Sequence, residues 1–244
     1  MKTVHATWEK ENIGQDAYEI TLNETDSFDE FAKEEQRCIA SGAQYLVVKT
    51  PVNCQNLLFS MATLGYHFVE TVYHVQIKRR DYHMPQIISR FDRGFSVVQV
   101  TDDAAKERMF AAIRKGIFLT DRVSIDPFFG PVAGGNRYAN WLFGMMQRGG
   151  DAYEVWLKDK PIGFFVICRK DETTVDPVLM GMYNEAEDRG LGTLLHKKTL
   201  DTCFTYDCTQ LTSTIVSNNV KIFSVYLNAG ATITDTQYTY IKHV

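Results

Sequence analysis

Gly190 and Gly192 stand either side of Leu191, directly ahead of "TLLHKKTLDTCF", a segment with helical spacing. Glycine costs roughly 1 kcal/mol in a helix interior, so a pair at a helix start needs a reason. One reading is a plain turn. The other is an anion site. Without Cβ atoms, the unpaired N–H groups of the first helical turn lie open to a phosphate, and the helix dipole favours the negative charge. A second group of residues could hold an organic ligand. The stretch from Leu119 to Gly135 reads as a long irregular loop, and loops of that length are often functional. Its "DRVSIDPFF" offers Arg122 and Asp126 as polar anchors between the apolar walls of Phe128 and Phe129. Tyr138 and Trp141, three apart on the following helix, share one face. Such a face suits a sugar or a nucleobase, although Trp141 can equally pack against a sheet. Asp126, Glu154, Asp176 and Glu185 are carboxylates able to take a proton, and each can equally be a solvated surface charge.

The elements that must position these residues alternate between strand and helix. "AYEITL" reads as a strand and "SFDEFAKEEQRCIASG" as a helix capped by Ser27 and stopped by Gly42. "QYLVVKT" is a buried strand, "NLLFSMATLGY" a helix ending at Gly65, and "HFVETVYHVQI" an alternating strand. Lys78–Gly94, with its charges and Pro85, reads as a linker. The pattern then restarts: strand "FSVVQV", a helix capped by Thr101, the long loop, and a helix from Asn136. Strands "AYEVWLK", "PIGFFVICR" and "TVDPVLMGMY" follow. The helix after Gly192, strand "QLTSTIV", helix "NNVKIFSVYLNAG" and strand "ATITDTQYTYI" close the chain. This predicts an α/β fold with a mixed sheet.

Two segments repeat each other. Sliding Val47–Val75 by 165 positions lays it on Thr212–Tyr240 without a gap. Asn53 then falls on Asn218, Gly65 on Gly230, Thr71 on Thr236 and Tyr73 on Tyr238. An internal duplication explains the shared offsets. The copies differ where chemistry would reside: the first has nothing like "EDRGLG" and carries Met61 opposite Tyr226.

The 244 residues suffice for one large domain or two small ones. A net charge of -4 argues against a nucleic-acid partner. Five cysteines without a C-x-x-C pattern fit a reduced, cytoplasmic protein. No run of about 18 apolar residues exists to span a membrane. The start has no apolar signal core, and the six histidines show no metal-ligand spacing.

The C-terminal part resembles the GNAT acyltransferase superfamily. The likeness rests on "DPVLMGMY", the turn "EDRGLG", "QLTSTIV" and "NVKIFSVYLNAGA" in that order, with Asn219 seven residues before Tyr226. Glu187 departs from the Gln or Arg usual at the head of the turn, although Arg189 lies within it. Over nearly the whole chain the sequence is similar to the dTDP-fucosamine acetyltransferases, two-part GNAT enzymes acting on a nucleotide-linked amino sugar. "ATWEKENIG", "LGYHFVE", "DRVSIDPFFG…RYANWL" and "AGATITDTQYTYI" carry that likeness. The resemblance implies a GNAT-like mixed central sheet with flanking helices over residues 94–244, preceded by a truncated half-GNAT part over residues 1–80.

It also implies N-acetyl transfer from acetyl-coenzyme A to a primary amine, with a homodimer left open. The amino-sugar nucleotide is the favoured acceptor, and another small amine (an amino acid, polyamine or antibiotic) the alternative. A catalytically inactive acyl-coenzyme A-binding protein is a further one. The donor's diphosphate would sit on the turn Glu187, Asp188, Arg189, Gly190, Leu191, Gly192 and Thr193. Its pantetheine arm would add to the edge of "VLMGMY", along Met180 and Met182. Gly181 would bend that strand as at a bulge, letting the Met182 N–H meet the thioester oxygen. Tyr226 would protonate the leaving thiolate. Asn219 would cap a helix or touch the coenzyme.

Overall fold

The computed structural model describes residues 1–183 and 190–244. The chain forms two compact units, both mixed α/β. The first comprises Met1–Tyr73, Val216–Asn218 and Asp235–Val244; the second comprises His74–Ile215 and Asn219–Thr234.

The first unit contains β1 (Lys2–His5), α1 (Thr7–Ile13), β2 (Ala17–Thr21), α2 (Phe28–Ala40), β3 (Tyr45–Pro51) and α3 (Gln55–Thr63). It also holds the first part of β4 (His67–Lys78) and most of β10 (Thr232–His243). Its strands run in the order β1-β2-β3-β10-β4. β1 and α1 carry too few periodic residues to be legible in the sequence. α2 begins where a capping box predicts it. The Ser27 hydroxyl accepts the Glu30 N–H at 3.3 Å, and the Glu30 carboxylate accepts the Ser27 N–H at 2.9 Å. The inner strand β3 buries Tyr45, Leu46, Val47 and Val48. It pairs in parallel with β2 over its length, from Ala17↔Tyr45 to Thr21↔Lys49. On its other side it pairs antiparallel with β10, from Pro51↔Gln237 to Tyr45↔His243.

The second unit continues with α4 (Gln86–Arg90), β5 (Phe95–Gln99), α5 (Asp103–Arg114), α6 (Gly130–Gln147), β6 (Asp151–Leu157), β7 (Lys160–Arg169) and β8 (Thr174–Met182). Then come α7 (Leu191–Cys203), β9 (Gln210–Val216) and α8 (Val220–Asn228). β5 to β8 form an antiparallel meander, and β8 meets β9 in parallel. Met109 and Ile113 of α5, Leu142 of α6, and Phe164 and Val166 of β7 make its core.

Three local expectations are corrected. The cap of α5 is Asp102, whose carboxylate accepts the Ala105 N–H at 2.9 Å, and not Thr101. α6 starts at Gly130, six residues before Asn136, so about a third of the expected loop is helical. Glycines disguise that start, yet Pro131 suits a first turn. The glycines permit close packing: a Cβ on Gly135 would lie 2.6 Å from the Ile113 carbonyl oxygen of α5. Lys78–Gly94 is docked within the second unit rather than being a free linker. Arg79 donates to the carbonyls of Phe204, Tyr206 and Cys208, and the Tyr82 hydroxyl donates to Asp201 at 2.7 Å.

The repeat holds at every boundary. Adding 165 to the limits of β3, α3 and β4 gives the limits of β9, α8 and β10.

Candidate active site

β8 and β9 pair only at Thr174↔Gln210 and Val175↔Leu211. Beyond Val175 the ladder between them stops, so both strands present backbone groups to a gap. The corresponding parallel pair of the first unit, β2 and β3, has no such gap. Pro177, which lacks an N–H, stands just past the last pair. There β8 also shifts register against β7, because Val166 faces Leu179 while Ile167 faces Pro177. Val178 is therefore the extra, bulged residue. The bulge expected at Gly181 is not there. Gly181 pairs in register with Phe164, and a Cβ on it would lie 2.7 Å from Ile117 and 2.9 Å from the Phe164 ring. That glycine serves packing.

The Tyr183 N–H donates to the Ile162 carbonyl at 3.0 Å. Hydrogen bonding alternates along an antiparallel ladder, so Gly181 also turns its N–H toward β7. Met180 and Met182 then turn theirs the other way, to the edge that β9 has left. Their side chains are half-buried.

α7 starts beside this edge. Its N-cap is Gly190 at φ 86°, a left-handed conformation suited to glycine. No side chain caps the helix and no acidic residue occupies its described first turn. The N–H groups of Leu191, Gly192 and Thr193 therefore have no intrahelical partner. Glu187, Asp188 and Arg189, with Glu185, lie outside the described residues.

Tyr226 projects from α8 into the interior and is 1 % exposed. Its hydroxyl makes no hydrogen bond of good geometry among the described residues, although the Ser213 side chain lies near enough to interact with it. Burial raises its pKa far above that of an ordinary phenol, and Ser213 of β9 offsets part of the shift. The hydroxyl therefore keeps its proton. His196 of α7, which sequence reading passed over, meets the Tyr226 ring edge-on at 4.6 Å between centroids. Asn219 caps α8: its side-chain oxygen accepts the Ile222 N–H at 3.4 Å.

The loop residues behave differently from one another. Arg122 and Asp126 are 8 % and 5 % exposed, so neither is displayed to solvent as a surface anchor. The Asp126 carboxylate accepts the Phe128 N–H at 2.9 Å, and its carbonyl accepts the N–H groups of Phe129 and Gly130. It shapes the entry to α6. Tyr138 and Trp141 do share a face, with rings 6.2 Å apart, and Trp141 is 40 % exposed. The other carboxylates are also engaged. Glu154 accepts two hydrogen bonds from Arg108, at 2.9 and 2.8 Å, and one from the Tyr183 hydroxyl. Asp176 pairs with Lys170 at 2.6 Å, while burial raises its carboxyl pKa. Among the described residues no group of His, Cys, Asp and Glu is placed to hold a metal ion, and no helix is long and apolar enough to cross a membrane.

The chain as a whole superposes on solved structures. A GCN5-related N-acetyltransferase from Kribbella flavida superposes with a TM-score of 0.58 at 13% identity, over 93% of this chain and 80% of that one. The tandem GNAT protein from the clavulanic acid biosynthesis pathway gives 0.53 at 13% identity, over 88% and 69%. The fold is that of the GCN5-related N-acetyltransferases. A glucosamine N-acetyltransferase region of a fungal multi-domain β-N-acetylglucosaminidase shares the GNAT fold at a TM-score of 0.60 and 11% identity. That match covers 86% of this chain and 27% of that one. No protein-family model and no curated protein matches the sequence.

Proposed function

We propose that the second unit moves an acetyl group from acetyl-coenzyme A to a primary amine. The observation that carries this reading is the gap between β8 and β9, with the Met180 and Met182 N–H groups turned toward it. Such an edge can take a peptide-like arm as an added strand. The uncapped turn Gly190–Thr193, with Glu187, Asp188 and Arg189 before it, holds the diphosphate. The Met182 N–H stabilises negative charge growing on the acyl oxygen. The amine nitrogen attacks the acyl carbon, the carbon–sulfur bond breaks, Tyr226 gives its proton to the sulfur, and the proton shed by the nitrogen passes through water and restores the phenol. The first unit takes no donor in this scheme, since its equivalent strands are zipped along their length and Met61 replaces the phenol.

The favoured acceptor is a nucleotide-linked amino sugar, held against the exposed Trp141 and its neighbour Tyr138, with Arg122 and Asp126 shaping the loop beneath. Another small amine is the alternative. A screen of amines with acetyl-coenzyme A, reading released thiol, tests the activity. Release with no amine of any class would sink the proposal. Trp141→Ala is expected to raise KM for a nucleotide sugar roughly tenfold, from lost stacking worth ~1–2 kcal/mol, and to leave KM for a polyamine unchanged. Equal effects on both would remove Trp141 from the acceptor site.

The donor site has its own test. Gly192→Val places a branched side chain where the diphosphate approaches. Calorimetry is expected to show coenzyme A affinity falling at least about tenfold, or about 1.4 kcal/mol. An unchanged affinity in the folded variant means that the diphosphate sits elsewhere.

A further inference from the structure

His196 is fully buried, and its Nε2 has no partner among the described residues. A buried polar atom left unpaired is costly and needs an explanation. Its surroundings supply one. The other ring nitrogen, Nδ1, lies 2.8 Å from the Met180 sulfur of β8. The ring itself touches Tyr226 of α8, the helix that follows β9. His196 therefore touches both β8, at Met180 beyond the end of its ladder with β9, and α8, the helix that follows β9.

The contact to Met180 favours one tautomer. Sulfur is a weak acceptor and has no proton to give, so the favoured imidazole carries its proton on Nδ1. Burial pushes the ring pKa down to about 3, which keeps the group neutral. Nε2 is then a fixed acceptor with nothing to accept. The proton of the Tyr226 hydroxyl likewise has no acceptor among the described residues.

Resting on the acyl-transfer reading, we infer that these two atoms form a two-point seat for the acyl end of the donor. Nε2 accepts the pantetheine amide N–H nearest the sulfur, and the Tyr226 hydroxyl donates to the sulfur itself. His196 is on this account a donor-recognition residue that fixes where the sulfur lies relative to the acid.

The test compares two ligands by calorimetry, with no acceptor needed. One is coenzyme A. The other is an analogue in which the amide nitrogen nearest the sulfur is replaced by an ester oxygen, removing the N–H alone. Wild type is expected to prefer coenzyme A by about tenfold, the size of one well-placed hydrogen bond. His196→Phe, which keeps a flat ring and loses the acceptor, is expected to bind both within about twofold. His196→Gln, which can present an oxygen, should recover part of the preference. His196→Met gives the same comparison if the Phe variant does not fold. A tenfold preference that survives in His196→Phe or His196→Met overturns the inference and leaves acyl transfer standing. Failure of wild type to bind coenzyme A at all overturns both.

Discussion

Tyr226→Phe is expected to lower kcat about 10²–10⁴-fold while weakening coenzyme A affinity by no more than the roughly tenfold of one hydrogen bond. The ring stays, so the packing against His196 stays, and only the proton on the sulfur's side is lost. Stability should move the other way. The hydroxyl that is removed is buried and makes no hydrogen bond of good geometry, with only the Ser213 side chain near it, so the variant should be as stable as wild type or more stable by about 1 kcal/mol. A structural tyrosine would do the reverse, losing stability and keeping turnover. Thermal melts and single-turnover acetylation of one verified amine separate the cases. Because burial keeps the phenol protonated well past its usual range, its ionisation should produce no alkaline fall in rate below about pH 10. At the repeated position, Met61→Leu should cost under about 1.5 kcal/mol and leave the rate alone. Equal turnover for wild type and Tyr226→Phe would falsify the acid role.

Gly230→Ala is expected to lose about 3 kcal/mol or more of folding free energy, and Gly65→Ala only about 1 kcal/mol. The two glycines occupy the same place in the repeat, and both are left-handed, at φ 91° and 79°. Backbone strain is therefore common to both. Their neighbours differ. A Cβ at Gly230 would sit 2.3 Å from the Asp81 carbonyl oxygen, which is backbone and cannot step aside. At Gly65 the nearest atom is the end of the Lys242 side chain, 4.0 Å away. Urea midpoints for the matched pair measure the difference. Equal losses would mean that the segment after β4 is not held tightly against the end of α8.

The sequence displayed the repeat more clearly than any single element, because asparagine and glycine offsets survive divergence that erases apolar patterns. It also displayed the glycine-led helix and the order of strands around it. It hid what depends on partners. Arg79 reads as a solvated charge until three carbonyls arrange themselves around its guanidinium. Gly134 and Gly135 read as loop because their benefit, contact with Ser124 and the end of α5, is long-range. The bulge fell on Gly181 by residue type, whereas register put it at Val178, next to a proline. Arg122 and Asp126 looked like ligand anchors because polar residues beside phenylalanines do; the sequence did not show that both are buried or that Asp126 bonds the entry to α6. His196 lay within a helical run and carried no motif. Only the lack of a partner for Nε2 singles it out.

The pairing of β3 with β10 fixes when the protein can finish folding. Tyr45 lies opposite His243, so the inner strand of the first unit waits for a neighbour that the ribosome makes almost two hundred residues later. Until then β3 has a bare, apolar edge, the kind that recruits strands from other chains. Pairing across so long a stretch of sequence is slow, because loop closure must precede the contacts that reward it. Nascent chains stalled before residue 235 should accordingly be protease-sensitive in the first unit and depend on chaperones that shield strand edges. Emergence of residues 235–244 should make that unit resistant.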